Sequence, residues 1–69
     1  GDAYSQYLMG WSYANGANGV RCDYSQALQW FLKSSDNGYA AAAYFIGWMY
    51  YYGEGVQKDV AEALQWYKK

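Results

Sequence analysis

The chain of 69 residues has a formal net charge of −1, with five Lys and Arg residues, one Cys and no His. So little positive charge argues against nucleic acid as a partner, and no apolar run approaches the roughly 18 residues needed for membrane insertion. Without His and with a single Cys, the sequence also excludes a Ser-His triad, a Cys-His pair and a zinc site, so it predicts neither an enzyme nor a cofactor.

Two copies of one sequence pattern follow each other along the chain. Gly10 and Gly47 match at an offset of 37 residues, and the run Ala-Leu-Gln-Trp at residues 27–30 returns unchanged at residues 63–66. A period of this length indicates a repeat architecture in which neighbouring units share a core. We therefore expect a single domain over residues 1–69. Its two repeats are expected at about residues 2–38 and 39–69, the second one truncated at its C-terminal end.

Start and stop signals divide each repeat into two helices. Gly16, Gly38 and Gly53 each follow a helical stretch, where a residue with positive φ can close the last turn. Asp23 and Asp59 are each followed three residues later by Gln or Glu, the capping-box pattern that satisfies the free amides of a first turn. In chain order, the predicted helices span residues 3–15, 23–37, 40–52 and 59–69. The sequence thus predicts an all-α fold, an α/α repeat or solenoid fragment with four antiparallel helices in two helix-turn-helix units.

Three Asn-Gly pairs support a second interpretation. They lie at residues 15–16, 18–19 and 37–38, and such pairs are also typical of type I′ turns between β-strands. Tyr and Trp favour strands as well. Against this all-β alternative, the flanking runs are around a dozen residues long and place apolar residues at helical spacing.

Small residues, paired glycines and aromatic residues recur at the same places in both copies. The second copy carries them as Ala42, Ile46-Gly47, Tyr50, Gly53-Glu54-Gly55-Val56, Asp59, Ala63-Leu64 and Trp66-Tyr67. The first copy carries them as Ser5, Met9-Gly10, Tyr13, Gly16, Gly19-Val20, Asp23, Ala27-Leu28 and Trp30-Phe31. This pattern resembles the Sel1-like repeat, a relative of the tetratricopeptide repeats. The resemblance implies stacked helical hairpins whose first helices line a concave, ligand-binding face.

Several residues are expected to pack between the helices. Gly10 and Gly47 lie inside helices at a cost of about 1 kcal/mol relative to Ala, which a close approach of the two helices of a repeat would offset. Trp30 and Trp66 on the second helices, with aromatic partners on the first, are expected in the core. The inward stripe of the third helix, at spacings of three and four, is expected to consist of Ala42, Phe45, Ile46, Met49 and Tyr50.

The remaining aromatic residues of the first helices form a second stripe, for which two interpretations stay open. They are candidate partner-binding residues, because Tyr and Trp bury a large area at low entropic cost. Alternatively, the rings pack on the neighbouring repeat and only stabilise it. The candidates are Tyr4, Tyr7 and Trp11 in the first copy and Tyr44, Trp48, Tyr51 and Tyr52 in the second.

These observations favour a scaffold or adaptor that binds a peptide or partner protein through the aromatic face of the first helices. Recognition of a glycan or peptidoglycan by ring stacking is the first alternative. The second is a structural piece of a longer solenoid, which self-associates as a homo-oligomer through the exposed apolar end of the last helix around Leu64 and Trp66. The sequence gives no compartment.

Overall fold

The computed structural model describes residues 2–17 and 19–68, and these residues form four α-helices and no β-strand. The predicted all-α fold is therefore confirmed, and the all-β alternative is wrong for this part of the chain. In chain order the helices are α1 (Ala3–Asn15), α2 (Tyr24–Asp36), α3 (Ala40–Tyr52) and α4 (Val60–Tyr67).

The bounds of α1 and α3 are the predicted ones, whereas α2 and α4 are shorter than predicted. Each begins one residue later because the aspartate before it is a cap rather than part of the helix. The side chain of Asp23 accepts hydrogen bonds from the amides of Ser25 and Gln26 at 3.1 and 3.2 Å. Asp59 accepts one from the amide of Glu62 at 3.0 Å. Both aspartates are caps, as predicted. The reciprocal half of the capping box is not seen, because the amides of Asp23 and Asp59 donate to the carbonyls of Tyr13 and Tyr50.

The C-terminal ends of the helices differ between the first and second helix of a repeat. Gly16 and Gly53 close α1 and α3 with φ of 64° and 71°, as the sequence predicted. In α2 the cap is Asn37, and Gly38 with φ of 93° follows it, so this helix ends at Asp36. The last helix was predicted to reach residue 69, which lies outside the described residues.

Hydrogen bonds join the two antiparallel helices of the first hairpin at both ends. The amide of Asp23 donates to the carbonyl of Tyr13 at 2.9 Å, which ties the end of α1 to the start of α2. The hydroxyl of Ser34 donates to the carbonyl of Ala3, which ties the start of α1 to the end of α2. In the second hairpin the amide of Asp59 donates to the carbonyl of Tyr50 at 2.9 Å. The same bond therefore closes both repeats.

Helical glycines allow the two helices of each hairpin to approach closely. A Cβ atom added at Gly10 would lie 2.8 Å from the ring of Phe31, and one added at Gly47 would lie 2.8 Å from the ring of Tyr67. Real Cβ atoms do not come this close, so an aromatic ring of the second helix occupies the space that a side chain would need. The predicted close approach is confirmed.

The core lies mainly between α2 and α3 and joins the two repeats. Its buried cluster consists of Ala27, Leu28, Phe31, Ala42, Ile46 and Met49. The predicted inward stripe of α3 is confirmed, with Phe45 and Tyr50 half-buried against this cluster. Trp66 packs against it as predicted. Trp30 is instead half-buried beneath the ammonium group of Lys33, 4.8 Å from the ring centroid, and its neighbour Phe31 fills the core.

Candidate protein-interaction surface

Six of the seven predicted partner-binding rings are exposed on the first helices. Their exposed fractions run from 36% for Trp48 to 57% for Tyr52. Exposed aromatic rings on neighbouring helices are typical of interaction surfaces, since such residues are enriched at binding hot spots. The six are Tyr4, Trp11, Tyr44, Trp48, Tyr51 and Tyr52.

The seventh ring, Tyr7, lies in the contact between the repeats. Its centroid is 4.9 Å from that of Tyr39, 5.6 Å from that of Phe45 and 5.9 Å from that of Phe31. Burial raises the pKa of its phenol above the ordinary value, with smaller contributions from Tyr39 and Tyr4. Tyr7 therefore packs beneath the exposed rings and adds little exposed area to the surface.

A groove runs along the exposed side of α3. Its lining residues follow the spacing of one helical stripe, with the small Ala41 between larger side chains. The groove has a volume of about 540 Å³ and is lined by Ala41, Tyr44, Phe45 and Trp48. We call it the α3 groove. Phe45, which the sequence placed in the core, thus has one edge in the core and the other on this surface.

A cleft between the two repeats opens beside the α3 groove. Trp11 of α1 and Trp48 of α3 both line it, with Phe45 between them, in a volume of about 310 Å³. The structure therefore brings the two predicted rows together, as the offset of the repeats required. Trp48 is a wall shared by the groove and the cleft.

Tyr51 and Tyr52 belong to a separate cluster near the C-terminal end of α3. The ring of Tyr52 lies 4.9 Å from that of Tyr51 and 5.2 Å from that of Trp48. The cluster also contains Tyr67 of α4, whose ring meets that of Tyr44 edge-on at 5.4 Å. Sequence reasoning missed Tyr67, because its match in the other copy is Phe31, which is buried in the core, so the repeat gave no signal of exposure.

The surface carries no formal charge of its own. Neither α1 nor α3 contains an Asp, Glu, Lys or Arg residue. Burial raises the pKa of the Tyr67 phenol, with a smaller contribution from Tyr44, so this group stays neutral well above pH 7. The first helices therefore offer ring faces and phenol hydroxyls without a charged side chain.

Within residues 2–17 and 19–68, no group of three or more His, Cys, Asp or Glu side chains is placed to hold a metal ion. None of the four helices combines the length and the apolar character that crossing a membrane requires.

Two stacked helical hairpins with exposed rings on their first helices define an α/α repeat protein. The model of the Sel1 repeat matches residues 3–39 and 40–69, so the chain belongs to the Sel1 repeat family, as the sequence pattern indicated. Sel1 repeats generally act as protein-interaction modules.

Two curated relatives are much longer chains that this chain matches over a short part. One is the ERAD-associated E3 ubiquitin-protein ligase component HRD3A of Arabidopsis thaliana, 38% identical over 55 residues, which are 80% of this chain and 8% of that protein. The other is the chitin synthase regulator SKT5 of Saccharomyces cerevisiae, 27% identical over 62 residues, which are 90% of this chain and 9% of that protein. The chain thus spans less than a tenth of either relative.

Solved structures share the fold closely. A Sel1 repeat protein from Oxalobacter formigenes superposes with a TM-score of 0.91 at 36% identity, over 96% of this chain and 27% of that one. The protective antigen c5321 of uropathogenic Escherichia coli, described as an SLR fold, superposes with a TM-score of 0.90 at 38% identity. That match covers 96% of this chain and 14% of the antigen.

Proposed function

We propose that the chain is an interaction module that binds a peptide segment of a partner protein along the α3 groove and the cleft beside it. The observation that carries this proposal is the position of Trp48, which lines the groove, the cleft and the tyrosine cluster. A large, rigid ring at the meeting point of three concave surfaces is the usual form of a binding hot spot.

The chemistry of the surface indicates the kind of segment that would bind. Because α1 and α3 carry no charged residue, a charged segment in the α3 groove would lose hydration without gaining an ionic partner from these helices. An apolar or proline-containing segment suits the site better, since ring-lined grooves accept it without such a cost. The exposed hydroxyls of Tyr4 and Tyr44 would donate to its backbone carbonyls, and Trp11 and Trp48 would contact its side chains.

The two curated relatives are consistent with a protein partner. One is a component of a ubiquitin ligase and the other a regulator of a synthase, so each is named for its relation to another protein. That this chain also binds a partner protein is our proposal.

The tyrosine cluster favours glycan recognition as a second candidate function. Tyr51, Tyr52 and Trp48 place three exposed rings within about one sugar unit of each other, with centroids 4.9 and 5.2 Å apart. Sugar rings stack on such faces, and phenol hydroxyls can bond to their hydroxyl groups. Tyr44 and Tyr67 extend the same cluster.

Selection from a library of short random peptides on the immobilised chain tests the peptide proposal. We expect enrichment of uncharged segments with apolar or proline residues, and we expect Trp48→Ala to abolish their binding. Trp30→Ala is the matched control, since this half-buried Trp of α2 lies outside the groove and the cleft. Enrichment of acidic or basic segments, or equal loss in both variants, would contradict the proposal.

Tryptophan fluorescence separates the two candidate functions. Oligosaccharides of chitin and of peptidoglycan are titrated into the chain and into its Tyr52→Ala variant. Quenching that saturates in the original chain and disappears in the variant supports the glycan site. If selected peptides bind and neither oligosaccharide changes the fluorescence, the glycan candidate is wrong.

A further inference from the structure

The cleft between the two repeats is lined by aromatic side chains from three helices. Trp11 of α1 and Trp48 of α3 stand on its two sides, and both are partly exposed. Phe31 and Phe45 form its floor, where their rings stack at 5.3 Å and 11°. Tyr24, the first residue of α2, also lines it. Both repeats contribute to this site, so it does not lie on an outer face of the first or the last helix.

The ends of two helices give the cleft a negative potential. Ala14 and Asn15 of its lining belong to the last turn of α1, and Met49 belongs to the last turn of α3. The C-terminal end of a helix dipole is negative and favours a cation nearby. The helix α2 begins at the same end of the molecule, but the carboxylate of Asp23 caps its N-terminus. The helix ends around the cleft therefore favour a cation over an anion.

The carboxylate of Glu54 adds negative charge beside the cleft. The backbone amide of Glu54 donates to the carbonyl of Met49 at 2.9 Å. The next residue is held against α2, since a Cβ atom added at Gly55 would lie 2.6 Å from the Cβ of Tyr24. Burial raises the pKa of the Tyr24 phenol and the charge of Glu54 raises it further, so this carboxylate lies within electrostatic reach of a ring of the cleft. No Lys or Arg is among the described residues that line the cleft.

Aromatic faces beside a negative charge suit a cation that has no N–H donors. Ring faces attract cations, and sites of this kind recognise quaternary ammonium groups. A primary ammonium or guanidinium group carries several N–H donors, and each one that stays unbonded in an apolar cleft costs free energy. A quaternary ammonium group has methyl groups in their place, and these pack directly on the rings. The volume of about 310 Å³ suits a compact ligand, because Phe45 and Trp48 separate the cleft from the α3 groove.

We propose that the cleft binds a small quaternary ammonium compound of the choline type. The cationic group lies between the rings of Trp11 and Trp48, with the carboxylate of Glu54 as its counter-ion. A neutral apolar ligand of the same shape gains nothing from this carboxylate or from the helix ends, so the charge of the ligand decides its affinity. The cleft is thus a second ligand site of the molecule, and it does not require a peptide in the α3 groove.

NMR spectra of the indole N–H groups test the proposal on the 69-residue chain. The probes are choline and dimethylbutanol, its neutral isostere with carbon in place of nitrogen. Trp11 and Trp48 line the cleft, whereas Trp30 and Trp66 do not and serve as internal controls. We expect choline to shift the signals of Trp11 and Trp48 alone, with saturation. The isostere should bind about tenfold more weakly, because it lacks the attraction between cation and ring.

Three variants separate the contributions of charge and ring. Glu54→Gln removes the negative charge and keeps the shape of the side chain, so it should weaken the binding of choline and leave that of the isostere unchanged. Glu62→Gln removes the same charge from an exposed position of α4 outside the cleft and is the matched control. Trp11→Leu replaces one aromatic side of the cleft by an aliphatic one and should abolish the saturable shift of Trp48. Trp11 is partly exposed, so far-UV circular dichroism should show intact helices in this variant.

Equal binding of choline and its isostere would overturn the proposal, because the cleft would then select for shape and not for charge. Equal shifts at all four Trp residues, or an unchanged affinity for choline in Glu54→Gln, would overturn it as well. A peptide that carries trimethyllysine is the last probe. If this peptide shifts Trp11 and Trp48 while choline does not, the cleft takes a side chain of a partner and the proposed small ligand is wrong. None of these results depends on the binding of uncharged peptides, which the peptide selection tests separately.

Discussion

The second helices of the two repeats share the run Ala-Leu-Gln-Trp but differ greatly in burial. Leu28 of α2 is 8% exposed, whereas Leu64 at the same repeat position of α4 is 50% exposed. Phe31 is 1% exposed and its counterpart Tyr67 is 40% exposed. The difference arises because α2 packs between α1 and α3, whereas α4 packs mainly on one side, against α3. In a stacked repeat, burial is thus set by the neighbour as much as by the residue.

The largest expected effect is the difference between truncating the covered ring and truncating the uncovered one. Phe31→Ala removes a fully buried ring from the centre of the core and should cost about 3–5 kcal/mol of unfolding free energy. Tyr67→Ala should cost only about 1–2 kcal/mol, since part of the side chain is already in water. Urea unfolding followed by circular dichroism measures both. Equal costs would show that α4 is covered in solution.

A methyl group added at the helical glycines should sharpen the same comparison. In Gly10→Ala the new Cβ meets the Phe31 ring, which is buried and cannot move, so we expect a loss of about 1–3 kcal/mol from overpacking. In Gly47→Ala the exposed ring of Tyr67 can swing away, and only the carbonyl oxygen of Ala63 at 3.0 Å remains close. The higher helix propensity of Ala, worth about 1 kcal/mol, then offsets most of the cost. Thermal melting of both variants measures the two losses of stability. A larger loss in Gly47→Ala than in Gly10→Ala would contradict this account.

Removing the helix caps should produce smaller and more similar effects. Asp23→Ala leaves the amides of Ser25 and Gln26 without their acceptor, and we expect a loss of about 1 kcal/mol. Asp59→Ala should cost less, because α4 buries only Ala63 and its first turn can fray without opening the core. The Asn variants at both positions keep a capping oxygen and are the controls. A cost for Asp59→Ala above that for Asp23→Ala would show that α4 is the more tightly held helix.

The smallest expected effect is a loss of stability at alkaline pH. Burial raises the pKa values of Tyr7 and Tyr67 in the folded chain, while in the unfolded chain they titrate near about 10. Above that pH the unfolded state loses these protons first, so stability falls as pH rises from about 10 through the folded-state values. Tyr7→Phe and Tyr67→Phe should each reduce this fall in urea unfolding measured from neutral to alkaline pH. A steeper fall in either variant would contradict the assigned cause.

Much of the fold could be predicted from the sequence because its signals are local. The caps at Asp23 and Asp59 and the closing glycines Gly16 and Gly53 act within one turn of a helix, and all four are as predicted. The separation of Tyr7 from the other exposed rings could not be predicted. Its burial depends on Phe45 of the next repeat, and periodicity along one helix does not show which neighbour lies against it.

The aromatic surface was predicted as two parallel rows, one on each first helix, and the structure divides the row on α3. Trp48 lines both the α3 groove and the cluster that contains Tyr67, whereas Tyr51 lines the cluster and not the groove. Sequence spacing places these residues on one broad side of α3, but the division depends on how α4 packs beside it. The spacing of residues along one helix therefore does not predict a surface that two helices form together.

The central claim is that the exposed rings of the first helices are available for a partner rather than required for folding. The most direct test is the melting temperature of the chain with Trp11 and Trp48 both replaced by Ala. We predict that it falls by less than roughly half as much as in Phe31→Ala, because both rings are partly in water. A fall as large as that of Phe31→Ala would show that these rings are core, and it would contradict the claim.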